Sequence, residues 1–280
     1  MRARPSQPTS RAARAWQRGV TLVELMVSIA IGLFIVLVAT TIYVRGLSTV
    51  NFRVGQSENL NNSRYALNVL DNELTKAGYR RDPTQDIAEA FPADGAANAT
   101  NACQFDVGQA IYAPDDKSLC LRYQARDDAE TDCGGAAAGL GAFAGPYVPP
   151  AAGTGLFVER YTLSDGSLVC QSGQATTSAV QVADGVRDVH FEFGIDDMSD
   201  PSKGRHVSAY KTAVPASHEV IRSLRYAILM NSTGKVTQGM ASTVCSRWAE
   251  AGGTATSCNA DGSQLYQLAS GSLTLRNLMP

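Results

Sequence analysis

The 280-residue sequence predicts an α+β fold: one long N-terminal helix, with an antiparallel β-sheet head packed on the second half of that helix. Three observations lead there. Val20–Val44 is an apolar run whose single charged residue is Glu24. Apolar residues at three- and four-residue steps continue to Ala77, with no proline between 45 and 77. Beyond Gly78 the chain turns to Gly-, Ala- and Pro-rich stretches and then to alternating, strand-like segments. A helix followed by a succession of strands is the order expected of an α+β domain.

As a helix at about 1.5 Å per residue, Val20–Val44 spans about 37 Å, enough to cross a bilayer core of about 30 Å. A secretory signal has a shorter apolar region, about 7–15 residues, followed by a small-residue cleavage site. Residues 20–44 therefore read as a transmembrane helix. Residues 1–19 carry Arg2, Arg4, Arg11, Arg14 and Arg18 and no acid. Basic residues beside a span hold that end in the cytoplasm, which places the rest of the chain outside it. The leader is rich in Ser, Pro and Ala without apolar periodicity, so it is expected to be disordered.

Glu24 is the anomaly. A carboxylate near a helix centre in lipid costs about 2.5–3.5 kcal/mol on insertion scales. One turn from the cytoplasmic edge, it escapes part of that cost by reaching the headgroups, and a tolerated edge charge is one reading. The other is a cation in the same layer, such as the free amine of another subunit, because an intramembrane ionisable group is by default a functional one. Cleavage after Gly19 would create that amine. The stretch Gly19-Val20-Thr21-Leu22-Val23-Glu24-Leu25 resembles the cleavage motif of type IV prepilins: a basic leader ending in Gly, an apolar residue, Glu at the fifth mature position and a long apolar helix behind. The resemblance implies that a prepilin peptidase cuts between Gly19 and Val20 and methylates the amine of Val20. It also implies that Glu24 meets the N-terminal amine of a neighbouring subunit. The family's usual first mature residue is Phe, where this chain has Val20.

Residues 45–78 continue the helix in amphipathic form. Leu67, Leu70, Leu74 and Ala77 make a helical stripe, and Leu47, Val50 and Val54 make an earlier one. Polar residues fill between them, Gly46 and Gly55 are candidate bends, and Gly78 supplies a stop with Pro83 beyond. One helix from Val20 to Ala77 is expected, with the stripe packed against the head.

Residues 79–280 form the head. Removing residues 1–19 leaves 261 residues, enough for one sizeable domain beyond the membrane segment, and takes the formal net charge from −2 to −7. An acidic exported domain is a poor binder of nucleic acid, which needs clustered Lys and Arg. All six cysteines, Cys103, Cys120, Cys133, Cys170, Cys245 and Cys258, lie beyond the span, and an even number in an oxidising compartment points to disulfides. Six cysteines allow 15 pairings. The neighbouring set Cys103–Cys120, Cys133–Cys170 and Cys245–Cys258 is favoured, because a turn- or Gly-rich stretch lies inside each loop. Closing loops of this size is worth about 3–4 kcal/mol each in the chain-entropy model. No CxxC occurs and the three histidines have no metal-ligand spacing to the cysteines, so a zinc site is not indicated. Asp196, Asp197 and Asp200 crowd one loop and are a weak Ca²⁺ candidate, lacking the alternating D-x-D-x-D spacing. No other metal and no cofactor is expected.

Residues 88–102 and 134–155 read as long surface loops with few core-forming side chains. The second is not a phosphate cradle: it lacks GxGxxG and a Walker lysine. The strands are clearer, at 118–125, 156–163, 188–195, 220–230 and 271–279. Val189, Phe191, Phe193 and Ile195 share one face, as do Leu273 and Leu275.

The segments at 183–196, 219–232 and 273–280, together with Asp132-Cys133-Gly134 and Leu275-Arg276-Asn277, resemble those of PilW-type minor pilins. The resemblance implies a type IV pilin-like fold and a structural, non-enzymatic role: a minor pilin that primes assembly of a type IV pilus and sits at its tip. The pilus would serve twitching motility, adhesion or DNA uptake. The implied partners are other minor pilins, the major pilin, prepilin peptidase, inner-membrane lipid and the assembly machinery. The implied location is the bacterial inner membrane with the head in the periplasm, then the pilus tip at the cell surface. The alternatives are a minor pseudopilin of a type II secretion system and a membrane-anchored exported enzyme. The latter is disfavoured because no GxSxG or HExxH pattern is present.

Overall fold

The computed structural model describes residues 19–94, 102–137, 145, 147–149, 155–173, 179–197, 206–216, 219–232, 234, 242–258 and 264–279. The leader thus lies outside the described residues, except for Gly19. The chain forms two compact units, Met1–Thr49 and Val50–Pro280. Helix α1 runs over Leu22–Lys76, so it begins two residues later and ends one residue earlier than expected.

In the first unit every described residue from Gly19 to Leu47 is exposed. The helix is long and apolar enough to cross a membrane, and none of its most apolar window is buried. Three of its hydroxyls are satisfied within the helix: Ser28, Thr40 and Thr41 donate to the carbonyls of Glu24, Val36 and Leu37 at 2.7–2.8 Å. A segment in lipid has to pair its polar groups internally.

In the second unit the buried face of α1 is Gly55, Asn59, Ser63, Ala66, Leu70 and Leu74. The expected lower stripe, Leu70, Leu74 and Ala77, is fully buried, and Leu67 packs against the core. Of the upper stripe, Val50 and Val54 are more than half exposed, and Leu47 in the first unit is exposed too. At that height the helix turns small and polar groups inward instead: the Asn59 amide donates to Leu265 O at 2.7 Å. The helix stops at Gly78, whose φ of +72° favours glycine and whose added Cβ would stand 2.3 Å from Leu278 Cδ2. Asn277 caps the end from the far terminus, donating to Thr75 O at 2.8 Å and Ala77 O at 3.2 Å.

The head has two antiparallel sheets where one was expected. The first holds β1 (Ile111–Asp115), β2 (Ser118–Gln124), β3 (Leu156–Ser164), β4 (Ser167–Ser172) and β5 (Val180–Asp184) in sequence order. The second holds β6 (Val186–Asp197), β7 (Ala209–Lys211), β8 (Glu219–Asn231) and β9 (Tyr266–Thr274), in the order β7-β6-β8-β9. The chain passes between sheets at Gly185, with φ +69° and an added Cβ 3.2 Å from Asn231 O. The core joins the lower stripe of α1, Tyr123, Phe157 and Tyr161 of the first sheet, and Val189, Phe191, Phe193 and Ile195 of β6. Leu224, Ile228 and Met230 of β8 complete it.

Both outer faces carry added cover. Cys103, Phe105 and Cys120 cluster over the first sheet, and Trp248 and Cys258 cluster with Ala227, Leu229 and Tyr266 over the second. Two short helices are added: α2 (Ile87–Ala90) packs on the main core, and α3 (Ser242–Glu250) supplies part of the cover over the second sheet. The 88–102 stretch is therefore not loop throughout, since Ala90 and Phe91 are core residues. The expected last strand ends at Thr274, with a 3-10 turn at Arg276–Leu278 and Leu275 still buried.

Candidate functional site

Gly19, Val20 and Glu24, expected from the sequence to serve processing and assembly, lie together at the start of α1 because they are local in sequence. Gly19, Val20 and Thr21 precede the first helical turn, and all are exposed. Among the described residues, a Cβ added at Gly19 would meet nothing within 4 Å. Thr21 and Glu24 face each other: Glu24 N–H donates to Thr21 Oγ1 at 3.3 Å, and Thr21 N–H donates to Glu24 Oε2 at 3.4 Å. This is a capping box, which pairs N–H groups that the first turn would otherwise leave unpaired. The Thr-x-x-Glu spacing at 21–24 is the sequence signal for it, and sequence reading had assigned Glu24 no such part.

Residues 17–40 match the model of the prokaryotic N-terminal methylation motif. The chain carries a prepilin-type methylation motif. No curated protein matches the chain in sequence. Among solved structures it is similar to a type IV-like pilin from Thermus thermophilus, at 12% identity and a TM-score of 0.41, over 79% of this chain and 98% of that one. A likeness so distant carries nothing about function. The methylation motif itself covers the start of α1 and leaves the head unassigned.

Three disulfides fasten the head: Cys103 to Cys120, Cys133 to Cys170 and Cys245 to Cys258. Cys120 lies on β2 and Cys170 on β4, so the first two tie loop segments to the first sheet. The third ties α3 to the 3-10 turn at Ala255–Cys258.

Buried charge does the remaining fastening. Arg122, 2% exposed, donates to the carbonyls of Gln109, Pro92, Phe91 and Asp106, and lies 4.6 Å from the ring centroid of Phe105. Desolvation pulls its pKa down to about 10, against the opposing charges of Asp94 and Asp106. Asp188, 1% exposed, accepts from Lys117 Nζ at 2.8 Å and Ser257 Oγ at 2.5 Å, joining the β1–β2 turn, β6 and the third disulfide's turn. Glu159 is fully buried and accepts from Tyr161 Oη at 2.8 Å, Cys133 N–H at 2.8 Å and Tyr123 Oη at 3.0 Å. Burial, then the charge of Glu73, raises its pKa above the usual carboxylate range, while the bonds from Tyr161 and Cys133 and the charge of Lys76 pull the other way.

Of the weak Ca²⁺ candidates, Asp196 and Asp197 are consecutive in β6, and strand alternation turns them to opposite faces. Asp196 is buried against the Arg222 guanidinium at 3.1 Å, so its carboxylate is already taken. Asp200 lies outside the described residues. Cys133, Glu159 and Cys170 come close enough to hold an ion, but the two sulfurs are bonded to each other. Ser232-Thr233-Gly234-Lys235 has the S-x-x-K spacing of some serine hydrolases. Ser232 is fully buried there, donating to Gly234 O and accepting from Leu265 N–H, and Lys235 lies outside the described residues.

Proposed function

We propose that this chain is the precursor of a minor pilin. A prepilin peptidase removes residues 1–19, and Val20 becomes the methylated N-terminus. The apolar half of α1 holds the protein in the inner membrane with the head in the periplasm. The subunit then joins other minor pilins, primes a type IV pilus and rides at its tip.

One observation carries this reading: an exposed glycine and an acidic residue five positions beyond it open a helix whose apolar first half is exposed throughout, inside a matched methylation motif. A carboxylate placed there has reason to persist if it neutralises a cation in the same layer. The disulfides and the buried Arg122, Asp188 and Glu159 fit a head that must stay folded outside the cell.

Deleting the gene is the test. Surface pili should disappear, together with twitching, adhesion or DNA uptake, while secreted enzymes reach the medium normally. The wild-type gene should restore pili. Normal piliation in the deletion strain, or a secretion defect with pili intact, would overturn the assignment.

A further inference from the structure

The outer face of the second sheet is covered over only part of its area. α3 and the Ala255–Cys258 turn lie over Leu229 and Tyr266. Beside them a groove of about 630 Å³ remains open, ending at the turn after α3.

Strand register sets its floor in two rows. His190, Ala227 and Ser270 lie side by side, and next to them Glu192, Arg225 and Ser272. Ser270 and Ser272 are exposed and two residues apart on one face of β9. The Arg225 guanidinium lies 3.6 Å from the ring centroid of Tyr210 and 3.3 Å from Glu192 Oε2, so stacking and an ion pair order it. Tyr210 reaches across β6 where Gly194 has no side chain: an added Cβ there would stand 2.9 Å from its ring. At the closed end His190 is 5% exposed, and its Nε2 has no hydrogen-bond partner among the described residues. Gly252, with φ +86°, closes over that nitrogen, and a Cβ there would come within 2.6 Å of it. A buried polar atom left unpaired costs about 1–3 kcal/mol, so a ligand oxygen that displaced the Gly252 turn would give this nitrogen the partner it lacks among the described residues.

We propose that this groove binds a neutral saccharide. Charge sets the choice of ligand. Glu192 neutralises Arg225, and Glu250 adds a second carboxylate to the lining, so an anion finds more repulsion than attraction. An apolar peptide finds serines and an ion pair where it needs carbon. A sugar hydroxyl both donates and accepts, so it matches serine hydroxyls, a carboxylate and an imidazole nitrogen alike. The stacked guanidinium gives a pyranose ring a flat partner, and the hydroxyl nearest Gly252 pairs with His190 Nε2 once the turn gives way. The inference concerns the folded head and stands whether or not residues 1–19 are cleaved.

The test uses the whole protein, purified in a detergent without sugar headgroups and labelled at its three histidines. Chitotriose, cellotriose and maltotriose are titrated in turn, each against the ring resonances. His206→Gln and His218→Gln identify His190 by elimination. At least one trisaccharide should shift the His190 resonance saturably, leaving the other two in place. Arg225→Ala and Ser270→Val, both at exposed positions, should each weaken binding by about tenfold or more without moving the thermal midpoint. The proposal is overturned if no trisaccharide shifts His190, or if the shift survives both substitutions. A stronger shift with inorganic phosphate would make the groove an anion site and equally overturn it.

Discussion

Glu24 has one part seen in the structure and one proposed for it, and two substitutions separate them. It closes a capping box with Thr21, and it is the charge available to pair with a neighbour's amine. Glu24→Gln keeps the first and removes the second, since glutamine serves equally at that capping position. Both Glu24→Gln and Glu24→Leu should insert, be cleaved and fold, yet fail to co-purify with the other minor pilins from membranes. If Gln assembles like wild type and only Leu fails, capping is the whole role of Glu24. Arg122 makes a second residue-scale prediction. Arg122→Met strips donors from four backbone carbonyls, each costing about 1–3 kcal/mol when buried and unpaired, so denaturant unfolding should show a loss of about 3 kcal/mol or more. Lysine should not rescue it, having a point charge in place of a planar fork. Glu159 makes a third. Its folded pKa is raised, so the unfolded chain releases the proton first as pH climbs past the ordinary value of 4.5. Its contribution is therefore complete below that value and is lost as pH rises through the folded pKa. Glu159→Gln should flatten this decline in the thermal midpoint between acid and neutral pH, and an unchanged slope would contradict it. The roles proposed for Gly19 and Glu24 rest on a motif local in sequence. Arg122, Asp188 and Glu159 were not legible in the sequence, because each acts through partners distant in the chain.

Among the elements, β2, β3, β6 and β8 were legible because alternation and β-branched or aromatic residues mark them without reference to partners. The two-sheet arrangement was not. A single residue, Gly185, separates β5 from β6, and nothing in the strand pattern says that the chain changes sheet there. The upper part of α1 misled for a different reason: hydropathy reads Val50 and Val54 as the buried face, whereas Gly55, Asn59 and Ser63 lie inward. Small residues allow close approach, and an amide can be buried if it is paired, as Asn59 is. α3 was missed because nine residues make little periodicity, and its place depends on a disulfide. That bond gives the element-scale prediction. Replacing Cys245 and Cys258 by serine releases a 13-residue loop closure worth about 3 kcal/mol. With residues 1–19 removed as proposed, fully buried Trp248 is the sole tryptophan of the chain. Its emission should shift red in the double variant, at a temperature where the far-ultraviolet signal of the sheets persists. Coincident loss of both signals would show that α3 is no separate clip.

At the scale of the whole molecule, one chain has to satisfy two solvents. The described residues of the first unit expose apolar side chains throughout, while the second unit buries a core and closes it with three disulfides. Those demands fit the proposed function, in which the apolar segment lies in a membrane and the head folds in an oxidising compartment. In the proposed function, cleavage after Gly19 would convert the precursor into an assembling subunit. Gly19→Val places a branched side chain at the cut, and the precursor should accumulate in the inner membrane at full length. The most direct test is the intact mass and N-terminal sequence of the wild-type protein purified from membranes. The account predicts a chain of 261 residues that begins at Val20 and carries one methyl group on its amine. A mature protein that retains residues 1–19, or that begins at any other residue, would contradict it.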